Sequence, residues 1–286
     1  MLKTDKKLII IVLIVVAALA LLYLSQEIRR TYKKEVLNGL GRVQGADLSL
    51  LTESDIQHLP EIVQKYLAYT GVIGKPKVQN YRIVLEAEMK TDPRKPWTPV
   101  IFEQYNFLDQ PTRLFLVRMN MSGLPVIGLD SYINTKGNML IKAAGLIKVS
   151  DIGGEFMDRA EAATLFNDMC LVAPASLTDP RIEWENIDDL TVKAIFTDGP
   201  NRVSAWLYFN DIGQLVNFVT DDRSYTTMDG KNMQVRWSTP VGNYREISGM
   251  RISTSGAATW HLPEGDYTYG KIKNIRELEY NLESYK

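Results

Sequence analysis

Hydrophobic and polar positions change their period along this chain, and each change marks a new kind of element. Leu8–Leu24 has no period: Leu, Ile, Val and Ala run on without a charge, a Gly or a Pro. At about 17 residues it can reach across most of a bilayer as a helix, which satisfies its own backbone hydrogen bonds in lipid. Tyr23 closes the run, where an amphipathic ring prefers the interface. A helical period then sets in, with Ile28, Tyr32 and Val36 spaced by four in Gln26–Leu37. Asn38-Gly39-Leu40-Gly41 is expected to stop it as a Gly-rich cap and linker. Thr52-Glu53-Ser54-Asp55 opens a second helical segment through Thr70, with Pro60 starting its main turn and Gly71 ending it. Ile62, Val63, Tyr66 and Leu67 form its apolar stripe.

From Lys77 the period falls to two. Ile83, Leu85, Ala87 and Met89 alternate with Arg82, Val84, Glu86 and Glu88, as in a half-buried strand. Similar runs follow at Val100–Phe107, Arg113–Met121, Val126–Asn134 and Met139–Lys142. Between them stand the turn signals Asp109-Gln110-Pro111, Ser122-Gly123 and Lys136-Gly137-Asn138. A helix over Glu155–Leu171 interrupts the strands, placing Phe156, Ala160, Ala163 and Phe166 on one face before Pro174 forbids continuation. Strands resume at Arg181–Glu185, Thr191–Thr197, Arg202–Asn210, Gln214–Asp221, Asn232–Ser238, Tyr244–Ser248, Met250–Ser253, Ala257–Leu262 and Tyr267–Tyr280. The short connections speak for antiparallel hairpins rather than crossover helices.

This pattern predicts an α+β fold: a large curved, mostly antiparallel, half-barrel-like sheet packed on one or two helices and preceded by an N-terminal transmembrane helix. The expected organisation is a short basic N-terminus (1–7), a transmembrane anchor (8–24), a juxtamembrane helix and linker (25–50) and a single α+β domain (51–286). Ser25-Gln26-Glu27 replaces a small-x-small cleavage site, which favours an uncleaved anchor over a signal peptide. Lys3, Lys6 and Lys7 precede the span and Arg29, Arg30, Lys33 and Lys34 follow it. Charge alone therefore leans slightly toward a cytoplasmic domain.

Composition removes several functions. The net charge is −1, so nothing draws the chain to nucleic acid. Cys170 stands alone in an apolar run and reads as a small buried hydrophobe. With only His58 and His261 beside it, no metal-ligand spacing emerges, and no nucleotide loop or nucleophile elbow is present; neither metal nor cofactor is expected. The acid pairs Glu86/Glu88, Glu183/Glu185, Asp188-Asp189 and Asp221-Asp222 read as solvated strand faces and turns. Asn120-Met121-Ser122 matches a glycosylation acceptor but lies in a strand pattern. No catalytic residues are assigned. The candidate ligand-binding residues are Phe115, Val117, Met119 and Met121 on one strand face and Met233, Val235 and Trp237 on another. Soft side chains of this kind suit a pocket for variable apolar molecules, and equally an ordinary core shared with the helix.

A set of scattered residues carries a resemblance. Leu59-Pro60, Val63 and Tyr66 come first, then Trp97, Phe102-Glu103-Gln104 and Glu161 with Phe166-Asn167-Asp168. Pro174, Ile182 through Asp188, Phe209 with Gly213, Trp237 with Tyr244, Gly249-Met250-Arg251-Ile252 and Trp260 complete it. Over Leu59–Tyr280 the chain resembles an uncharacterised bacterial family, a membrane-anchored domain of unknown function, and is similar in fold to the LolA/LolB-like lipoprotein-localisation carriers. Ser253 stands where that pattern has proline. The resemblance implies an extracytoplasmic domain at the cytoplasmic membrane, with a concave sheet face that takes up acyl chains. The expected partners are thus the membrane, through Leu8–Leu24, and a lipid or lipoprotein. The alternative is an envelope scaffold with a filled core that binds a protein partner. A hydrolase acting through His261 is the less favoured third reading.

Overall fold

In the computed structural model, which describes residues 6–46, 48–121, 123–226 and 232–286, the uniform apolar run forms helix α1, Lys6–Ser25. None of Leu8–Ser25 is buried, and the stretch is long and apolar enough to cross a membrane. The N-terminus with Lys3, and Ser122 of the expected turn and acceptor sequence, lie outside the described residues.

Helix α2, Glu27–Val43, runs past the point where the glycines were expected to end it. Gly39 is there for close approach instead: a Cβ at this position would lie 2.4 Å from the ring of Phe107. Ile28, Tyr32, Val36, Leu40 and Val43 form the buried stripe, packed on Tyr105, Phe107, Leu114 and Leu116 of the sheet. The expected second segment is two helices, α3 (Glu53–Ile56) and α4 (Glu61–Thr70), because Pro60 is extended and serves as the N-cap of α4. A capping box at Thr52 and Asp55 starts α3, and Gly71, left-handed at φ +72°, ends α4.

The first group of strands is β1 (Asn80–Met89), β2 (Thr98–Phe107), β3 (Thr112–Met121), β4 (Leu124–Ile133), β5 (Lys136–Ala143) and β6 (Ile147–Gly153). After α5 (Glu155–Val172) and a 3-10 turn at Pro174–Thr178 come β7 (Ile182–Asp188), β8 (Thr191–Asp198), β9 (Asn201–Phe209) and β10 (Leu215–Thr220). The last are β11 (Ser224–Thr226), β12 (Asn232–Gln234), β13 (Trp237–Ile247), β14 (Met250–Leu262) and β15 (Gly265–Tyr280). Thirteen of these make one antiparallel sheet in the order β6-β5-β4-β3-β2-β1-β15-β14-β13-β10-β9-β8-β7. The sheet does not close, so β6 and β7 are its edges. It is the large half-barrel-like sheet of an α+β fold, with α5 on its concave side and α2 on its convex side.

Three departures from the sequence pattern matter. The run Asn232–Ser238 is not one strand: β12 pairs with β11 in a separate ribbon, and the chain joins the large sheet only at Trp237. The edge strand β6 has no half-buried alternation to betray it, since Ile147, Lys148 and Val149 are all exposed. Helix α5 is buried on nearly every side rather than on one face, including Asp158, Glu161 and Asn167. It packs into one half of the concavity, where Phe166 meets Phe196 and Phe218 at ring-centroid distances of 5.5 and 5.7 Å.

Candidate functional site

The helix does not occupy the whole concavity. Beside it a cavity of about 340 Å³ lies between the inner faces of β1–β5 and those of β13–β15. Strand alternation builds one wall: Leu85, Ala87 and Met89, then Phe102, then Phe115, Val117 and Met119, then Val126 and Ile141. Register keeps these side chains in rows, with Leu85 opposite Phe102, Phe102 opposite Val117, and Met119 opposite Val126. The opposing wall is made of small residues and short aliphatics, among them Val241, Gly256, Ala257, Ala258, Gly270 and Ile272. Their size is the physical reason that space remains.

Among the candidate residues from sequence, the cavity brings together Phe115, Val117, Met119 and Trp237. Met121 continues the same face of β3 but lies beyond the lining, at the end of the strand. Met233 and Val235 are not part of it. Met233 is exposed on the small ribbon, and Val235 is buried in the main core. The chain leaves one sheet for the other between them and Trp237, so the three do not share a strand face.

The inner end of the cavity is polar, and the sequence reading missed it. Arg113, fully buried, donates from Nη1 to Asp130 Oδ2 at 2.9 Å and to Glu161 Oε2 at 3.0 Å, and from Nε to Asp168 Oδ2 at 2.8 Å. Gln104 Nε2 donates to Asp168 Oδ2 at 2.7 Å and to Asn106 Oδ1 at 2.8 Å. Asn106 in turn donates to Tyr81 Oη at 2.7 Å. Burial opposes the charge on Arg113, but Asp168, Asp130 and Glu161 together hold it firmly protonated. For Glu161 burial and then the nearby Asp130 push the carboxyl well above its ordinary range, against the pull of Arg113 and Arg223. Arg223 stacks over Trp237 and Trp260, at 4.5 and 5.4 Å from the ring centroids. The signal for this cluster was present in the sequence. Gln104, Arg113 and Asp130 occupy the inward parity of strands that are otherwise apolar there.

Among the described residues no group of His, Cys, Asp and Glu is placed to hold a metal ion. In the acidic cluster the Arg113 guanidinium takes the central place of a cation. Cys170 is wholly buried and free, and burial pushes its thiol well above the usual range.

A second polar arrangement lies on the convex face. His261 Nε2 is 2.8 Å from Ser238 Oγ, and its Nδ1 is 2.8 Å from Asp266 Oδ1. The order of atoms is that of a hydrolase triad, but the setting differs. Ser238 is only 3% exposed and sits in mid-sheet, paired on one side with Val219 and on the other with Thr259. What the three residues do is tie β13, β14 and β15 together across the outer surface.

A sequence-family model described as a Family of unknown function (DUF6544) matches residues 49–272, and the chain belongs to that family. No curated protein matches it. Similar solved structures include a LolA superfamily protein from Nitrosomonas europaea, at 9% identity and a TM-score of 0.37, covering 82% of this chain and 94% of that one. A DUF1329 family protein from Desulfovibrio piger is similar at 10% identity and a TM-score of 0.41, covering 83% and 96%. A putative outer membrane lipoprotein-sorting protein domain from Vibrio parahaemolyticus is similar at 10% identity and a TM-score of 0.37, covering 79% and 93%.

Proposed function

We propose that this member of a family of unknown function is a membrane-tethered binding protein that holds the acyl chain of a lipid or lipoprotein, without catalysis, in the cavity beside α5. One observation carries the reading: the concave face is close-packed around Phe166 yet leaves about 340 Å³ open between apolar walls a few residues away. Apolar surface kept from collapse in this way is what a ligand pocket of ~300–1,000 Å³ requires. Its adaptable lining, Met89, Met119 and Met139 among aliphatic residues, suits a chain of variable length. The helix Leu8–Ser25 is read as the tether, with the domain outside the cytoplasmic membrane; reporter fusions at the C-terminus test that orientation.

Native mass spectrometry on the segment from Gln26 onward, which keeps α2 on the sheet, tests the binding. A stoichiometric acyl species should co-purify, and Ala258→Phe, which places a ring in the cavity, should abolish it while the variant stays folded. A clean apo mass together with no uptake of an added fluorescent fatty acid would overturn the reading.

A further inference from the structure

The cavity has a direction, and so does the molecule. Helix α2 runs the length of the sheet: its last turn reaches the β2–β3 turn, where Arg42 Nε donates to Asp109 Oδ2 at 3.1 Å. Its first turn lies at the opposite strand ends, where Lys142 Nζ donates to Glu27 Oε2 at 2.7 Å. There the β5–β6 turn touches the end of α1, so closely that a Cβ on Gly145 would lie 2.4 Å from the Ser25 carbonyl oxygen. The ends of β1, β3 and β5 are therefore the ends beside the apolar helix.

Those same ends are where the cavity loses its cover. Gln104, Arg113 and Asn167, at the far end, are buried, whereas Met89, Met119 and Val126 are half-exposed. The apolar stripe then continues outward. Along the inner faces of β3 and β4, Met119 is followed by Met121 and Val126 is preceded by Leu124, and these two are cross-strand partners. Leu124 is 56% exposed, and in β6 alongside, Ile147 and Val149 are 68% and 63% exposed. Trp97, just ahead of β2, stands on the same rim with Lys90 and Lys271 over its ring, at 5.1 and 4.6 Å.

We infer that this rim docks on the bilayer surface that holds the chain's own N-terminal helix, so that the cavity mouth opens toward lipid rather than toward water. An apolar patch flanked by Lys90 and Lys271 and carrying the half-buried Trp97 has the composition of a surface that lies in the headgroup region of an anionic membrane. Continuity with the helix end at Ser25 selects the membrane over a second copy or a soluble partner. A ligand then passes between bilayer and cavity along Leu124 and Met121 without crossing bulk water. The inference rests on the reading of Leu8–Ser25 as a tether.

The test uses the full chain in vesicles of phosphatidylethanolamine and phosphatidylglycerol with doxyl-labelled lipid as quencher. Bimane is attached in turn through Ile147→Cys on the rim, Gln110→Cys at the far strand ends and Val16→Cys in the apolar helix. All three positions are exposed, and the buried Cys170 does not compete. Strong quenching at positions 16 and 147 with none at 110 is the expected result. Quenching at 16 without quenching at 147 would overturn the docking and leave the tether standing. No quenching at 16 would overturn the tether, and the docking with it. Shielding of 147 by a second copy, seen as dimer-dependent emission without lipid quenching, would also overturn the docking. As a second readout, Ile147→Asp with Val149→Asp should slow fatty-acid uptake from vesicles several-fold and leave uptake of monomeric fatty acid unchanged.

Discussion

The two halves of the concave sheet face make an instructive pair. On β8–β10 the inward residues Val192, Ala194, Phe196, Val203, Ala205, Leu207 and Phe218 have essentially no exposure, because α5 and α4 share one core with them. On β3 and β4 the inward residues Phe115, Val117, Met119 and Val126 remain half-exposed, although the alternation in sequence is just as regular. Both halves obey the rule that apolar parity points inward. Only one of them has something to point at. A period of two reports which side of a sheet is apolar, and what covers that side is decided by the reach and placement of the helices.

The contrast gives its largest predicted effect in paired truncations. Phe166→Ala opens a hole in the filled half and should cost about 3–5 kcal/mol in chemical denaturation. Met119→Ala removes a side chain already bordering open space, and should cost about 1 kcal/mol while weakening ligand uptake. Equal costs would mean that the cavity is collapsed in solution and that the two halves do not differ.

Where the halves meet stands Arg113, shared by a strand of the open half and by Glu161 and Asp168 of α5. Arg113→Met should cost about 3–5 kcal/mol, because it leaves Asp130 and Asp168 as buried charges without a counterion and Glu161 without its donor. If the loss is small, α5 is held by apolar packing alone and the polar end is not a joint.

Much of this was legible beforehand, and the failures have physical causes. The first five strands followed from periodicity, since each has a face that must be buried, and the end of α5 followed from Pro174. Gly39 misled because a glycine that admits the Phe107 ring looks the same in sequence as one that caps a helix. Met233, Val235 and Trp237 misled because alternation continues through Val235 and Arg236 while the backbone changes sheets. The polar cluster is visible as inward-parity charges at Arg113 and Asp130, but its partners Glu161 and Asp168 come from a helix whose apolar spacing indicates one buried face where nearly all faces are buried. Edge strand β6 could not be read at all, as its apolar residues serve no core.

Glu161 offers a milder probe of the joint, through pH. Its carboxyl is raised from 4.5 to about 8 by burial and by Asp130, so the folded chain binds a proton that the unfolded chain has released. That contribution is fully present below about pH 4.5 and is lost as pH rises toward about 8. Wild-type stability from urea titrations should therefore decline across this window relative to Glu161→Gln, which keeps the neutral form at every pH. Parallel curves for the two proteins would place the proton elsewhere.

The smallest effect is expected on the other side of the sheet, and it decides whether the comparison has been drawn on the right face. Ser238 points outward from β13, next to Trp237, which points in toward the cavity. If the hydrogen-bonded row Ser238, His261 and Asp266 only ties three strands, Ser238→Ala forfeits one partly buried hydrogen bond, about 1 kcal/mol, and leaves ligand uptake unchanged. A fluorophosphonate should fail to label wild-type protein, since an Oγ only 3% exposed in mid-sheet is not accessible to it. Stoichiometric labelling lost in Ser238→Ala would move the chemistry to the convex face. The open half of the concavity would then be a packing defect rather than a pocket, because a covalent nucleophile on the opposite surface has no use for it.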